Sequence, residues 1–259
     1  MTLTNVLSEL RNNVLLLTLD GPKSRNALSP PVYAALQGHI IDAGENPDVR
    51  AVVLHGANGF FCSGGDVNNL KRSTTLPMRD VSKSTDALNA MISTIRNCPI
   101  PVVASVEGGA AGAGFSLALA CDLIIASEKA KFIVAYVKIG LTPDGGMTHF
   151  LSSSLPRQMV SEMCLLGKPV FAETLHSHGI INTITPVSEA LSGAMDVAAT
   201  LAIGPQLAMA KIKSLIASAA TNDFSTHLEK EARGINLARF TDEGKEGTAA
   251  FLEKRKPNF

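Results

Sequence analysis

Asp144 is the acidic residue in the run Phe132 to Gly146, where it stands in the turn Pro143-Asp144-Gly145-Gly146 among largely apolar neighbours. An aspartate there has two readings. It can cap the helical pattern that begins at Met147, or it can act as a general base whose pKa is raised by desolvation. A second segment runs from Glu107 to Asp122, where a Gly/Ala loop leads straight into the helical pattern Phe115 to Ala120. Successive backbone N–H groups and the positive end of a helix dipole converge there, which suits a developing oxyanion; close helix–strand packing through small residues is the plainer alternative. The loop has neither the Lys-Ser/Thr pair of a P-loop nor the spacing of a dinucleotide fingerprint. A third segment, Phe60-Phe61-Cys62-Ser63-Gly64-Gly65-Asp66, follows an apolar run. Its paired glycines either present N–H groups unobstructed by a Cβ or simply turn the chain from strand to helix.

These segments need a scaffold, and the hydrophobic pattern supplies one. Val14 to Leu19, Ala51 to Gly56, Val102 to Val106 and Cys121 to Ala126 read as strands, with Pro31 to Gly44 and Met78 to Arg96 as intervening helices. Strands that are apolar on both faces and alternate with helices predict an α/β fold with a largely parallel sheet. Beyond Leu155 only Ile180 to Thr185 reads as a strand. Helical patterns follow over Val187 to Ile203, Pro205 to Ala219, Phe224 to Phe240 and Asp242 to Glu253. Pro205 suits a first helical turn. The helix after it carries Leu207, Met209, Ile212, Leu215 and Ile216 over most of its circumference, which predicts packing on more than one neighbour, an oligomer contact included.

Composition narrows the function. Of 259 residues 46% are hydrophobic, enough for one large core, and 23 basic residues balance 23 acidic ones, so no basic footprint points to nucleic acid or an anionic membrane. The most apolar stretch, Gly108 to Ala126, is interrupted by Asp122 and falls short of a membrane span. Cys62, Cys98, Cys121 and Cys164 show no Cys-x-x-Cys spacing and no secretory pattern precedes them, so buried free thiols and a cytoplasmic location are expected. The histidines form no metal-ligand cluster: His176 and His178 share a turn-like segment, and His55 ends an apolar strand. His149 follows Asp144 closely enough to approach the same pocket. No Gly-x-Ser-x-Gly elbow marks Ser116 as a nucleophile.

In their order and spacing the three segments resemble the enoyl-CoA hydratase/isomerase (crotonase) family, together with Arg25-Asn26-Ala27-Leu28 and Phe251-Leu252-Glu253-Lys254-Arg255-Lys256-Pro257. The resemblance covers almost the whole chain. It implies an α/β fold, a crotonase-like ββα spiral with a C-terminal helical region, and assembly as a homotrimer or a dimer of trimers. It further implies an acyl-CoA thioester substrate with no separate cofactor, coenzyme A being part of the substrate; the balanced charge and the lack of a membrane-span pattern make neither nucleic acid nor membrane an expected partner. Residues 1–195 are expected to form the spiral core with the thioester site, and residues 196–259 a helical oligomerisation region.

By the same resemblance Gly65 and Ala113 supply the two oxyanion N–H groups. Ser63, Gly64 and Asp66 pass near the adenine and pantetheine, and Arg25 and Lys254 contact phosphates, with solvated surface charge as the alternative for these two. The family's hydratases hold a water between two glutamates, and at those positions this chain has Ser116 and Tyr136, whose hydroxyls are no bases at neutral pH. Asp144 falls where several isomerases of the family carry their acid. Enoyl-CoA double-bond isomerisation with Asp144 as acid/base is therefore the expected activity. The alternatives are a hydratase or a ring-opening, oxepin-CoA type hydrolase using an Asp144-positioned water, with Tyr136 or Ser116 as helper, and a non-catalytic CoA-ester or RNA-binding member. Leu70 to Val81 and Met91 to Ile95 are the expected lining of the acyl pocket.

Overall fold

The computed structural model describes residues 4–259, Asn68 by its backbone alone. The chain opens with β1 (Asn5–Arg11) and β2 (Val14–Asp20), an antiparallel hairpin closed by Asn12 and Asn13, both at positive φ. Such a two-residue turn matches the right-handed twist of the strands it joins, and Asn tolerates the left-handed backbone. After α1 (Pro30–Glu45) comes β3 (Ala51–Gly56), then α2 (Val67–Ser73) and α3 (Met78–Asn97), then β4 (Val102–Val106). The short β5 (Gly109–Ala111) leads into α4 (Ala113–Ala120), followed by β6 (Leu123–Ser127), β7 (Lys131–Ile133) and a 3-10 turn at Tyr136–Ile139. Next are α5 (Met147–Ser154), α6 (Arg157–Leu166), β8 (Val170–Phe171), α7 (Ala172–Ser177) and β9 (Thr183–Thr185). Four helices close the chain: α8 (Ala190–Ala202), α9 (Gln206–Ala219), α10 (Phe224–Ala238) and α11 (Asp242–Glu253).

The main sheet has six strands in the order β1-β2-β3-β4-β6-β9, parallel from β2 onward. The expected parallel sheet is present, and β1 adds an antiparallel edge that the apolar pattern did not announce. Its second face explains why the strands are apolar throughout. Leu17, Val52, Leu54 and Ala104 pack towards α1, α3 and α4, whereas Val14, Leu16, Val53, Val103 and Ile125 meet α8. Helix α8 lies close to the sheet because its contact positions, Ala190, Ala194, Ala198 and Ala202, are all alanine at a spacing of one helical turn. Residue 195, the expected boundary, falls within this helix.

A small second sheet, β5-β7-β8, stands at the end of the main one, and isolated bridges Cys62↔Ala110 and Leu28↔Gly65 stitch the two glycine turns to each other and to the Arg25–Leu28 segment. Helix α9 buries none of its residues completely, and its Leu207, Ile212 and Ile216 are exposed. It is fastened to the core by Lys213, whose ammonium bonds the Ile100 carbonyl at 2.7 Å and the Asp122 carboxylate. The four cysteines are free thiols; Cys62, Cys98 and Cys121 are buried, but Cys164 is only partly so, correcting the expectation of four buried thiols. No helix among the described residues is long and apolar enough to cross a membrane.

Candidate active site

The C-terminal ends of β3 and β4 deliver the two glycine turns side by side. Cys62 accepts a hydrogen bond from the Ala111 N–H at 3.0 Å, and a Cβ on Gly114 would lie 2.7 Å from the Cys62 sulfur, so α4 can begin against residue 62 only with glycine there. Burial pushes the Cys62 thiol up to about 12, which keeps it protonated, and it donates to the Asn26 carbonyl at 3.1 Å. Asn26 is the buried clamp of this region. Its Nδ2 donates to the carbonyls of Ala57 and Phe60, at 3.0 and 2.6 Å, while its Oδ1 accepts from the Gly21 N–H at 2.8 Å. The motif Arg25-Asn26-Ala27-Leu28 thus shapes the site from behind, a role that the polar side chain of Asn26 could have suggested in sequence.

Helix α4 starts at Ala113, two residues earlier than the sequence pattern implied, which makes Ala113 its first residue and leaves its N–H without an intrahelical partner. Gly65 sits between bonded neighbours: the Gly64 carbonyl accepts from Leu28 and the Asp66 N–H donates to Leu28. Among the described residues neither the Gly65 nor the Ala113 N–H has a hydrogen-bond acceptor. Both therefore retain a donor, in two turns that are in van der Waals contact.

Asp144 lies beside α4, half-buried. One of its carboxylate oxygens, Oδ1, accepts from the Tyr136 hydroxyl at 2.7 Å, and its main-chain carbonyl accepts from the Ser116 hydroxyl at 2.9 Å. Burial raises the Asp144 carboxyl above its ordinary value, and the Tyr136 hydrogen bond opposes that rise. Burial, followed by the negative charge of Asp144, drives the Tyr136 phenol upward, so Tyr136 stays protonated and donates. A Cβ on Gly112 would lie 3.8 Å from Tyr136 Cζ, which places the phenol next to the residue preceding Ala113. Tyr33 on α1 is a residue that no motif indicated. It is buried, and its phenol is raised by burial and by the charge of Asp144.

The structure draws Gly64, Gly65, Ala113, Ser116, Tyr136 and Asp144 into one neighbourhood. Ser63 is tied to the Arg25 segment, its N–H donating to the Arg25 carbonyl at 3.0 Å and its hydroxyl to the Ser24 carbonyl at 2.7 Å. Arg25 is exposed and lies over the Phe60 ring at 5.6 Å. Lys254 stands apart: it closes α11 in the left-handed conformation, exposed, and among the described residues no hydrogen bond or ion pair joins it to Arg25 or Ser63. His149 is exposed on α5 and contacts the ring of Phe150. Among the described residues no three His, Cys, Asp or Glu side chains are grouped to hold a metal ion. A cavity of about 320 Å³ between the end of α4, β6 and α9 is lined by Leu119, Leu123, Met209 and Ile212, and by none of the predicted site residues.

A sequence profile for Enoyl-CoA hydratase/isomerase matches residues 9–259. The chain belongs to this family. As an enoyl-CoA hydratase/isomerase family member it is 34% identical over 255 residues to the 1,2-epoxyphenylacetyl-CoA isomerase of Escherichia coli, covering 98% of this chain and 97% of that one. It is 33% identical over 259 residues to a probable enoyl-CoA hydratase of Rhodobacter capsulatus, covering 100% and 99%. The crystal structure of an enoyl-CoA hydratase from a Polaromonas species superimposes with a TM-score of 0.96 at 40% identity, with 98% of each chain covered. The crotonase fold expected from the motifs is therefore present, and the protein is an acyl-CoA enzyme of this family. The names of its relatives divide between isomerase and hydratase.

Proposed function

We propose that the protein isomerises the double bond of an enoyl-CoA ester, with Asp144 removing a proton α to the thioester carbonyl and returning it at the γ carbon. The observation that carries this reading is the setting of Asp144. It is a partly buried carboxylate whose pKa burial raises above its ordinary value, beside two turns whose Gly65 and Ala113 N–H groups retain a donor each. Loss of the α proton puts negative charge on the thioester oxygen, and backbone N–H groups fixed in place stabilise that charge without reorganising. A base with a raised pKa is matched to proton transfer in both directions. Hydration through paired carboxylates is disfavoured because Ser116 and Tyr136 are both engaged with Asp144 and neither holds a water as a carboxylate would.

In the same reading Ser63, Gly64 and Asp66 line the path of the adenine and pantetheine, and Arg25 and Lys254 supply cations for the phosphates. The substrate brings its own coenzyme A, and no other cofactor enters. The exposed apolar faces of the C-terminal helices favour assembly into a trimer or a dimer of trimers. The name of the Escherichia coli relative agrees with an isomerase, and that of the Rhodobacter relative keeps a hydratase as the second reading. Incubation with 3-enoyl-, 2-enoyl- and aromatic acyl-CoA esters, followed by mass spectrometry, separates them. Isomerisation leaves the mass unchanged, whereas gain of one water across the panel would replace this reading with hydration.

A further inference from the structure

We propose that Tyr136 is a positioning residue for the acid/base: its hydroxyl, 2.7 Å from Asp144 Oδ1, ties down one carboxylate oxygen and leaves Oδ2 as the atom that takes and returns the proton. This rests on the reading of Asp144 as the base. The α C–H bond breaks, its proton moves to Oδ2 and its electron pair passes into the enolate; the same proton then leaves Oδ2 for the γ carbon. Tyr136 keeps its own proton throughout.

Three features make the arrangement a brace rather than a chance contact. The Asp144 main chain is fixed separately, by the Ser116 hydroxyl, so the tyrosine has only the carboxylate to orient. The next residue, Gly145, is at φ +58, and a Cβ there would lie 3.0 Å from the Ser116 Cβ, so the turn that presents Asp144 depends on the absence of a side chain. The Tyr136 ring is itself buried and begins the 3-10 turn, so its hydroxyl is held by packing. Other groups close to the carboxylate do not replace it. Helix α1 brings Tyr33, and Cys62 lies near that phenol; α4 and α3 bring Ser116 and Leu88, which do not titrate; His149 on α5 is exposed.

The test is the pH profile of Tyr136→Phe beside the native enzyme and Tyr33→Phe. Removing a donor to the carboxylate favours its protonated form, so the acid limb of kcat/KM should move to higher pH and kcat should fall about 10- to 100-fold with KM little changed, the scale of a misplaced catalytic group. Tyr33→Phe should leave that limb in place. Carbon-13 NMR of Asp carboxyls, with the Asp144 signal assigned by its loss in Asp144→Asn, should show the same upward shift without any turnover. An unmoved limb and an unmoved carboxyl titration in folded Tyr136→Phe would overturn the proposal. Should Asp144→Asn keep full turnover, the base assignment falls, while the titration still judges the brace. The chain has only two tyrosines, so fluorotyrosine incorporated in a Tyr33→Phe background labels residue 136 alone. A stronger donor of the same shape should move the limb to lower pH, and an unmoved limb would again overturn the proposal.

Discussion

Gly64 and Ala113 approach so closely that a Cβ on Gly64 would lie 3.3 Å from the main-chain nitrogen of Ala113 and 2.6 Å from the carbonyl oxygen of Ala111. Gly64 is also at φ +93, a conformation that L side chains rarely adopt. Gly64→Ala should therefore push the two turns apart. If they form an oxyanion hole, kcat should fall about 10²–10³-fold, the scale of one lost donor. The melting temperature of the same variant should fall as well, since the left-handed backbone and the contact with a carbonyl oxygen are both unfavourable. A folded Gly64→Ala enzyme with native kcat would remove Ala113 from the mechanism.

The Asp144 carboxyl titrates above its ordinary value because burial disfavours the charged form. The folded state therefore binds its proton more tightly than the unfolded chain does. Stability from this group is full below the unfolded pKa and is lost as pH rises through the folded pKa, so at neutral pH the charged side chain is a net cost. Asp144→Asn should melt no lower than the native enzyme at pH 7, and turnover should fall by about 10²–10⁴-fold. Native activity should decline as pH drops through the raised pKa. A variant with full activity would remove Asp144 from the proton transfer and leave its carboxylate only a partner of Tyr136; it is not the side-chain cap of α5, whose N-cap is Gly146.

The strands were legible in sequence wherever both faces are buried, as in Ala51–Gly56 and Val102–Val106, since a long apolar run leaves few alternatives. Strand β1 was not, because nearly all its residues are exposed and it is held by pairing with β2 rather than by an apolar face. The short helices α2, α6 and α7 escaped for a related reason, while α5 showed only as the pattern beginning at Met147: over two or three turns, periodicity carries little information, and packing decides. Asp144 and the glycine turns could be read because turn residues and an acid in apolar company leave local signals. The bonds from Ser116 and Tyr136 to Asp144 could not, since they span 28 and 8 residues and depend on where α4 and the 3-10 turn meet. Tyr33 reaches the same neighbourhood from α1 and lies in no motif at all.

Large apolar side chains remain exposed along the last three helices and the turn between α10 and α11, among them Ile216 at 69%, Phe224 at 79%, Phe240 at 78% and Phe251 at 83%. Apolar exposure on this scale favours an interface, and we expect that copies of this chain form it. Light scattering at micromolar concentration should report three or six times the chain mass, and a monomer would refute the assembly.

Asp122 Oδ2 accepts from the Val102 N–H at 2.7 Å and from the Lys213 ammonium, which also donates to the Ile100 carbonyl. One carboxylate oxygen thus joins the start of β4 to α9, a helix with no fully buried residue to hold it. The lysine side chain is 10% exposed and that of the aspartate 28%, so the two partners differ in what their loss leaves behind. Asp122→Ala strands a nearly buried cation and an unpaired N–H, and should cost about 2–5 kcal/mol. Lys213→Met keeps the apolar stem and leaves a carboxylate still bonded to Val102 and partly hydrated, and should cost about 1–2 kcal/mol. Urea denaturation of both variants at one protein concentration gives the comparison. The order Asp122→Ala below Lys213→Met below native is expected, and α9 should lose amide-exchange protection before the sheet does. Equal stability of Asp122→Ala and the native protein would show that apolar contacts alone hold α9 to the core.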